Sequence, residues 1–202
     1  MTPADRRQAI LDAVVPLVIE HGGDVSTRLI AEAAGIAEGT IFRAFADKTE
    51  LMLAVAEEAI HPAHGREEFE AMLAATDDLR ERVRLASQAL TVQMQRAMMV
   101  MFAVRGYLLK QGRPATGDED PPDFLVRANR ELLAMLTDLF APYADRLRVP
   151  PATAAAVLRS LVFGSRHPGM ETETDLSADQ IADIIVGGVM LGDHADLKAG
   201  DA

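Results

Sequence analysis

Cysteine is absent from the 202 residues, and disulfide staples, thiolate metal sites and thiol nucleophiles are excluded with it. Tryptophan is missing too, and aromatic residues make up only 4% of the chain. The core must therefore be packed from aliphatic side chains, alanine and methionine. That palette suits helices better than strands, which favour aromatic and β-branched residues. No apolar run approaches the roughly 18 residues a membrane-spanning helix requires. The opening residues MTPADRRQ lack the apolar segment of a secretory signal, so the expectation is a cytoplasmic protein with no membrane partner. Positive charge is also scarce: 20 basic residues stand against 31 acidic ones, a net charge of −11. Nucleic-acid binders usually present a basic face. The deficit is uneven, however, because most of the excess acid lies beyond residue 50. The first 50 residues hold Arg6, Arg7, Arg28, Arg43 and Lys48. A polyanionic partner would thus be held by a few placed cations rather than by a general field.

What is present is helical periodicity along nearly the whole chain, with no sustained alternation of period two. A first helix is expected over 3–20, with Ile10, Val14, Leu17 and Val18 on one face, a kink at Pro16, and a stop at His21-Gly22-Gly23. Short helices over 27–34 and 38–45 flank a tight turn at Gly35-Ile36-Ala37, the first opened by the N-cap Ser26. A fourth helix opens at Asp47-Lys48-Thr49-Glu50, in the form of a capping box, and runs through Leu51, Leu53, Val55 and Ala56 to about residue 60. Apolar residues at 79, 83, 86, 90, 94, 97, 101, 104 and 108 keep a 3.6-residue period and predict one long helix. Its segment AMMVMFAV (97–104) is apolar all round and predicts burial on every side. Residues 112–123 read as an acidic loop, 124–143 and 151–165 as helices, and 177–191 as a last helix behind the box Ser177-Ala178-Asp179-Gln180. The fold class is all-α, with about nine helices.

The segment 26–48, STRLIAEAAGIAEGTIFRAFADK, carries the functional signal. Two short helices joined by a glycine turn cross steeply and leave the second free to enter a DNA major groove. Ile30, Ala31, Ala34, Ile36, Ile41 and Phe45 supply the apolar seam. This run resembles the N-terminal helix-turn-helix of the TetR (tetracycline repressor) family. That family's pattern is approximately Thr-x-x-x-Ile-Ala-x-x-Ala-Gly-Val-Ser-x-Gly-Thr-Leu-Tyr-x-x-Phe followed shortly by Lys. Ser26, Ile30, Ala31, Ala34, Gly35, Gly39, Thr40, Phe45 and Lys48 match or nearly match it. The resemblance implies a DNA-binding domain over 1–48 and a ligand-sensing and dimerising domain over 49–192; the terminal residues 193–202 read as a disordered tail.

The resemblance also implies roles. Ser26, Thr27 and Lys48 would hold phosphates at helix starts, and Arg28 a phosphate or a base edge. Glu38, Thr40 and Arg43 would read bases, with Gly39 allowing close approach. Three departures stand out: Phe42 replaces the usual Tyr and so lacks a phosphate-binding hydroxyl, Ala44 replaces a His or Tyr, and Ala37 replaces a capping Ser. Phe42 keeps its place in the DNA-facing set.

On the long helix, Met94, Met98 and Phe102, with Thr91, Gln95 and Tyr107 as polar company, form a candidate site for a small, apolar effector. Simple core filling is the competing reading of the same methionines. The stripes Ala154, Val157, Leu158, Leu161, Val162 and Ile181, Ile184, Ile185, Gly188, Val189 lie on the last two helices. In the family such a pair meets its two-fold mate in a four-helix bundle; an internal pair in a monomer is the alternative. One short helix reads too few bases alone, so a homodimer on a palindromic double-stranded operator is expected. His61-x-x-His64 has ligand-like spacing but is interrupted by Pro62 and lacks a third ligand, so no metal is expected. Glu57-Glu58 and Glu67-Glu68 read as solvated faces. No phosphate loop, nucleophile elbow or catalytic cluster occurs, and neither enzymatic activity nor a cofactor is expected. The rival functional reading, prompted by the acidic charge and the missing Tyr, is a helical small-molecule-binding protein that does not bind DNA.

Overall fold

The computed structural model describes residues 2–61, 66–112, 122–165 and 175–190. Among them lie nine α-helices: α1 (Pro3–His21), α2 (Thr27–Ala33), α3 (Glu38–Ala44), α4 (Lys48–Ile60), α5 (Arg66–Ala74), α6 (Leu79–Lys110), α7 (Asp123–Phe140), α8 (Pro151–Gly164) and α9 (Ala178–Val189). Single 3-10 turns cover Gly22–Asp24 and Ala141–Arg146. Among the described residues the extended pairing is limited to an isolated antiparallel bridge between Leu147 and Met190. The chain divides into two compact units. One holds residues 1–61 and 93–128, the other 62–92 and 129–202. The first is larger than the segment that bears the motif, because α4 and the C-terminal half of α6 fold with it.

The first unit grows from α1. Thr2 and Asp5 close a capping box at its start, and Ile10, Leu11, Val14, Val15 and Val18 turn inward. The helix runs on through Pro16. Gly22, at φ 69°, ends it in a conformation that costs a side-chain-bearing residue strain. Ile30, Ala31, Ile41, Phe45, Leu51, Met52 and Val55 join α1 in one core, and so do Val100, Val104 and Tyr107 of α6. Leu53, expected on the inner face of α4, is exposed; Met52 and Ala54 are buried there instead.

The second unit packs Val83 and Ala86 of α6 with Leu136, Leu139 and Phe140 of α7, and with α8 and α9 through Ala154, Ala155, Leu158, Val162, Ile181 and Ile185. Helix α5 escaped the sequence reading, because its charged surface hides a short inner face of Phe69 and Leu73. The turn between α5 and α6 is pinned by polar contacts. The Arg82 Nε donates to the Thr76 carbonyl at 2.7 Å and the Tyr143 hydroxyl to the Asp77 carbonyl at 2.6 Å. The expected capping box at Ser177 and Gln180 is closed in both directions.

One expectation fails on α6. The segment 97–104 is not buried on every side: Met99 and Phe102 are exposed, as are Val92 and Leu109 on the same helix. Every side chain of the segment is apolar, but only Val100 and Val104 are fully buried, with Met101 and Ala103 half-buried against the same core. Composition alone cannot register that a helix has neighbours on one side only. The loop expected over 112–123, the tail over 193–202 and His64 of the histidine pair fall wholly or largely outside the described residues.

Candidate nucleic-acid interface

The motif's geometry follows from its capping. The Ser26 hydroxyl accepts the Leu29 amide at 3.2 Å and starts α2. At the other end the Gly35 amide donates to the Glu32 carbonyl at 3.2 Å, and the Ile36 amide to the Ala31 carbonyl at 3.0 Å. With Gly35 at φ 63° this is the doubly bonded glycine stop that turns the chain sharply out of a helix. Ala37 opens α3 with no side-chain cap, as its departure from the family pattern implied. A different bond secures that junction: the Thr27 hydroxyl donates to the Glu38 carboxylate, tying the first residue of α2 to the first of α3.

The far end of α3 is held from α1. The Arg7 Nη1 donates to the Ala44 carbonyl at 2.8 Å and to Glu50 Oε1 at 3.0 Å, and its guanidinium lies 4.1 Å from the centre of the Phe45 ring. The other Glu50 oxygen accepts the Ala46 amide at 2.6 Å. The box expected at Asp47 is therefore only half closed. Asp47 accepts the Glu50 amide at 2.7 Å, but Glu50 reaches past it to Ala46. The Ala46 amide first, and then Arg7, hold the Glu50 carboxyl below the usual carboxylate range. The pairing of Arg7 with Glu50 is not legible in the sequence, since nothing local marks a charge whose partner lies some forty positions away.

With Ile41 and Phe45 anchored in the core, α3 turns its other face outward. Glu38, Gly39, Phe42 and Arg43 are exposed and Thr40 is half-buried. Phe42 leaves 48% of its surface open. A Cβ at Gly39 would meet nothing within 4 Å, so the backbone there is open to close approach. Arg28 and Arg43 have no intramolecular partner among the described residues, and both are exposed. Lys48 is different: its Nζ donates to the Gly23 carbonyl at 3.4 Å and lies 4.8 Å from the centre of the Tyr107 ring.

The effector candidates are scattered on α6. Met94 is buried, and Thr91 and Met98 are half-buried, with the Thr91 hydroxyl donating to the Ser87 carbonyl at 2.8 Å. Gln95 and Phe102 are exposed. Tyr107 sits in the core of the first unit, against Lys48. On α8 and α9, Ala154, Leu158, Val162, Ile181, Ile185 and Val189 fill their own unit's core. Val157, Ile184 and Gly188 face outward, and Leu161 is half-buried. Among the described residues no group of three or more metal-ligating side chains occurs, and no helix is long and apolar enough to cross a membrane.

A three-helix head whose second short helix stands exposed behind a glycine turn has the helix-turn-helix arrangement. Residues 10–55 match the family model described as bacterial regulatory proteins, tetR family. Solved structures share the all-α fold. Native NalD, the secondary repressor of the MexAB-OprM multidrug efflux pump in Pseudomonas aeruginosa, is 19% identical; the match covers 94% of this chain and 98% of that one, with a TM-score of 0.52. The fatty acid degradation regulator FadR from Bacillus halodurans is 17% identical over 91% and 95% of the two chains, with a TM-score of 0.56. SmeT, solved as a complex with triclosan, is 18% identical over 94% and 93%, with a TM-score of 0.58.

Proposed function

We propose that the protein is a ligand-released transcriptional repressor that binds a palindromic operator as a homodimer in the cytoplasm. The observation that carries the DNA reading is the outward face of α3. It bears Thr40, Phe42 and Arg43, is fixed from below by fully buried Ile41 and Phe45, and is flanked by Arg28, both arginines being without a partner among the described residues. Arg43 pairs a guanine edge, while Phe42 and the Thr40 methyl pack against thymine methyls. Glu38 is already engaged by Thr27, so it reads a base only if that bond opens or shares its acceptor. Ser26 and Thr27 lie beside the backbone path, with Gly39 giving the approach.

The dimer reading rests on the outer stripe of α8 and α9. Val157 and Ile184 leave 45% and 51% of their surfaces open. On the same two helices a Cβ at Gly164, Gly187 or Gly188 would meet nothing within 4 Å, which leaves room for a second helix pair. The inner residues of the two stripes complete the subunit's own core and back this surface. Thr91, Met94, Gln95, Met98 and Phe102 supply the contacts for an apolar effector, and the complex of the similar SmeT with triclosan supports a small-molecule ligand of that kind.

The test is a titration of duplex from the region upstream of the protein's own gene against unrelated duplex, across a range of salt. Repressor function predicts preference for the upstream duplex and a steep fall in affinity with salt. Arg43→Ala should cost about 1–3 kcal/mol on that duplex and relax selection at one base position per half-site. Equal binding to every sequence, or none at any salt, would instead favour the helical small-molecule-binding reading.

A further inference from the structure

The outer face of α6 within the first unit sets exposed apolar side chains beside unpaired cations. Gln95, Met99, Phe102 and Gly106 follow one another at steps of four, three and four, so they share one side of the helix. Val100, Val104 and Tyr107 turn instead to the core. Phe102 leaves 61% of its surface open and Met99 48%, and a Cβ at Gly106 would meet nothing within 4 Å. Arg96 and Arg105 are nine positions apart, about two and a half turns, so they rim this row on opposite sides. Both are exposed, and neither has a partner among the described residues. Lys110, at the end of the helix, is by contrast held by Asp24. No acidic residue occurs on α6 after Glu81, in a chain whose net charge is −11.

We propose that this face docks an acidic amphipathic helix of another protein. Met99 and Phe102 form the apolar seam, the space over Gly106 takes a side chain of the visitor, and Arg96 and Arg105 hold carboxylates along its two edges. Exposed methionine, phenylalanine and arginine together are the composition of a protein-binding surface, and a flexible Met side chain adapts to what is laid across it. Guanidiniums take carboxylates in paired hydrogen bonds. Other occupants fit less well. A second copy of this chain in a two-fold contact would meet the face with itself, and gather four guanidiniums with no carboxylate among them. An anionic membrane would attract the two arginines but repel a chain of this net charge. A small apolar ligand finds little enclosure on the outside of a single helix. Gln95 and Phe102 were counted above among the effector contacts, so the test is placed on Met99, Gly106 and the two arginines, which that reading does not use.

The experiment uses the full chain and three fluorescent synthetic helices. One carries leucine and phenylalanine along one side and glutamate along the other; the second has lysine for glutamate, the third serine for the apolar residues. Fluorescence anisotropy should show the first bound about tenfold more tightly than either of the others. Met99→Glu sets a carboxylate in the apolar seam and should weaken that peptide about tenfold. Arg96→Ala combined with Arg105→Ala should weaken it about fivefold and remove most of its salt dependence. Each variant is first checked for unchanged helicity by circular dichroism. Should Met99→Glu lose helicity, Gly106→Glu places a charge on the same row, and unchanged peptide binding there overturns the proposal. Equal binding of the glutamate and lysine peptides, or binding of neither, also overturns it. So does a lower mass of Met99→Glu in sedimentation, which would assign the face to a second copy. Capture of the wild type, but not of Met99→Glu, by phosphatidylglycerol vesicles would overturn it in favour of a membrane. None of these measurements uses DNA, so their failure leaves the repressor reading standing, and a chain that binds no duplex leaves the docking face standing.

Discussion

Helices α3 and α9 are both short, and both drive one apolar stripe into a core, yet they offer opposite faces to the outside. The outer face of α3 carries an arginine, a threonine, a glutamate and a lone phenylalanine; that of α9 carries Ile184 and two glycines beside exposed Asp179, Gln180 and Asp183. Apolar surface left open on a helix that already has a core behind it asks for another protein surface. A face with an unpaired cation and small polar groups asks for a polyanion. The difference shows that burial alone does not identify a functional helix. What identifies it is the chemistry of the residues the core leaves over.

The comparison can be broken most severely by removing the support of α3. Phe45 is fully buried beneath Arg7, and Phe45→Ala should cost about 3–5 kcal/mol, read as a fall in the denaturation midpoint of the whole chain. Little change would mean that α3 stands independently of its core. On α9, Ile184→Glu places a charge where the proposed partner surface would strip it of water. The dimer should weaken by about 3 kcal/mol, with sedimentation reporting monomer and circular dichroism an unchanged fold. Should the variant remain a dimer, the outer stripe of α8 and α9 is not the interface.

Smaller changes sharpen the picture. Ala37→Ser supplies the cap that α3 lacks and should raise thermal stability by about 1 kcal/mol, provided Glu38 keeps its bond to Thr27. The smallest effect is acid sensitivity at the joint of α3 and α4. The folded protein holds the Glu50 carboxyl below its ordinary value of 4.5. Its contribution is therefore complete above that value and disappears as pH falls through the depressed one. Glu50→Gln should flatten that part of the acid-denaturation curve and leave neutral behaviour nearly untouched.

Most of the head was legible in the sequence because its determinants are local. Ser26, Gly35 and Asp47 each act on amides a few residues away, so the starts and stops of α2 and α4 could be placed from spacing alone. Residues whose work is done at a distance were not legible in the same way. Arg7 reaches Ala44, and Lys48 reaches Gly23 and Tyr107, through contacts that only the fold creates. Tyr107 was grouped with the effector contacts because it shares a helix with them, yet the structure sets it against Lys48 in the first unit's core. The stripes of α8 and α9 were visible as apolar periodicity, but a periodic pattern does not separate the residues that fill a subunit from those left for a neighbour. Outward Val157 and Ile184 were therefore grouped with inward Leu158 and Ile185. Helix α5 went unseen for a related reason: two inward residues among charges give too weak a period to stand out.

The bond from Thr27 to Glu38 bears on any attempt to give this protein a different outer face on α3. Grafting a foreign reading helix at 38–44 would bring a new residue to position 38 while the hydroxyl at 27 stayed tuned to a carboxylate. The two sites should be exchanged together, as one cassette, if the graft is to sit at its native angle.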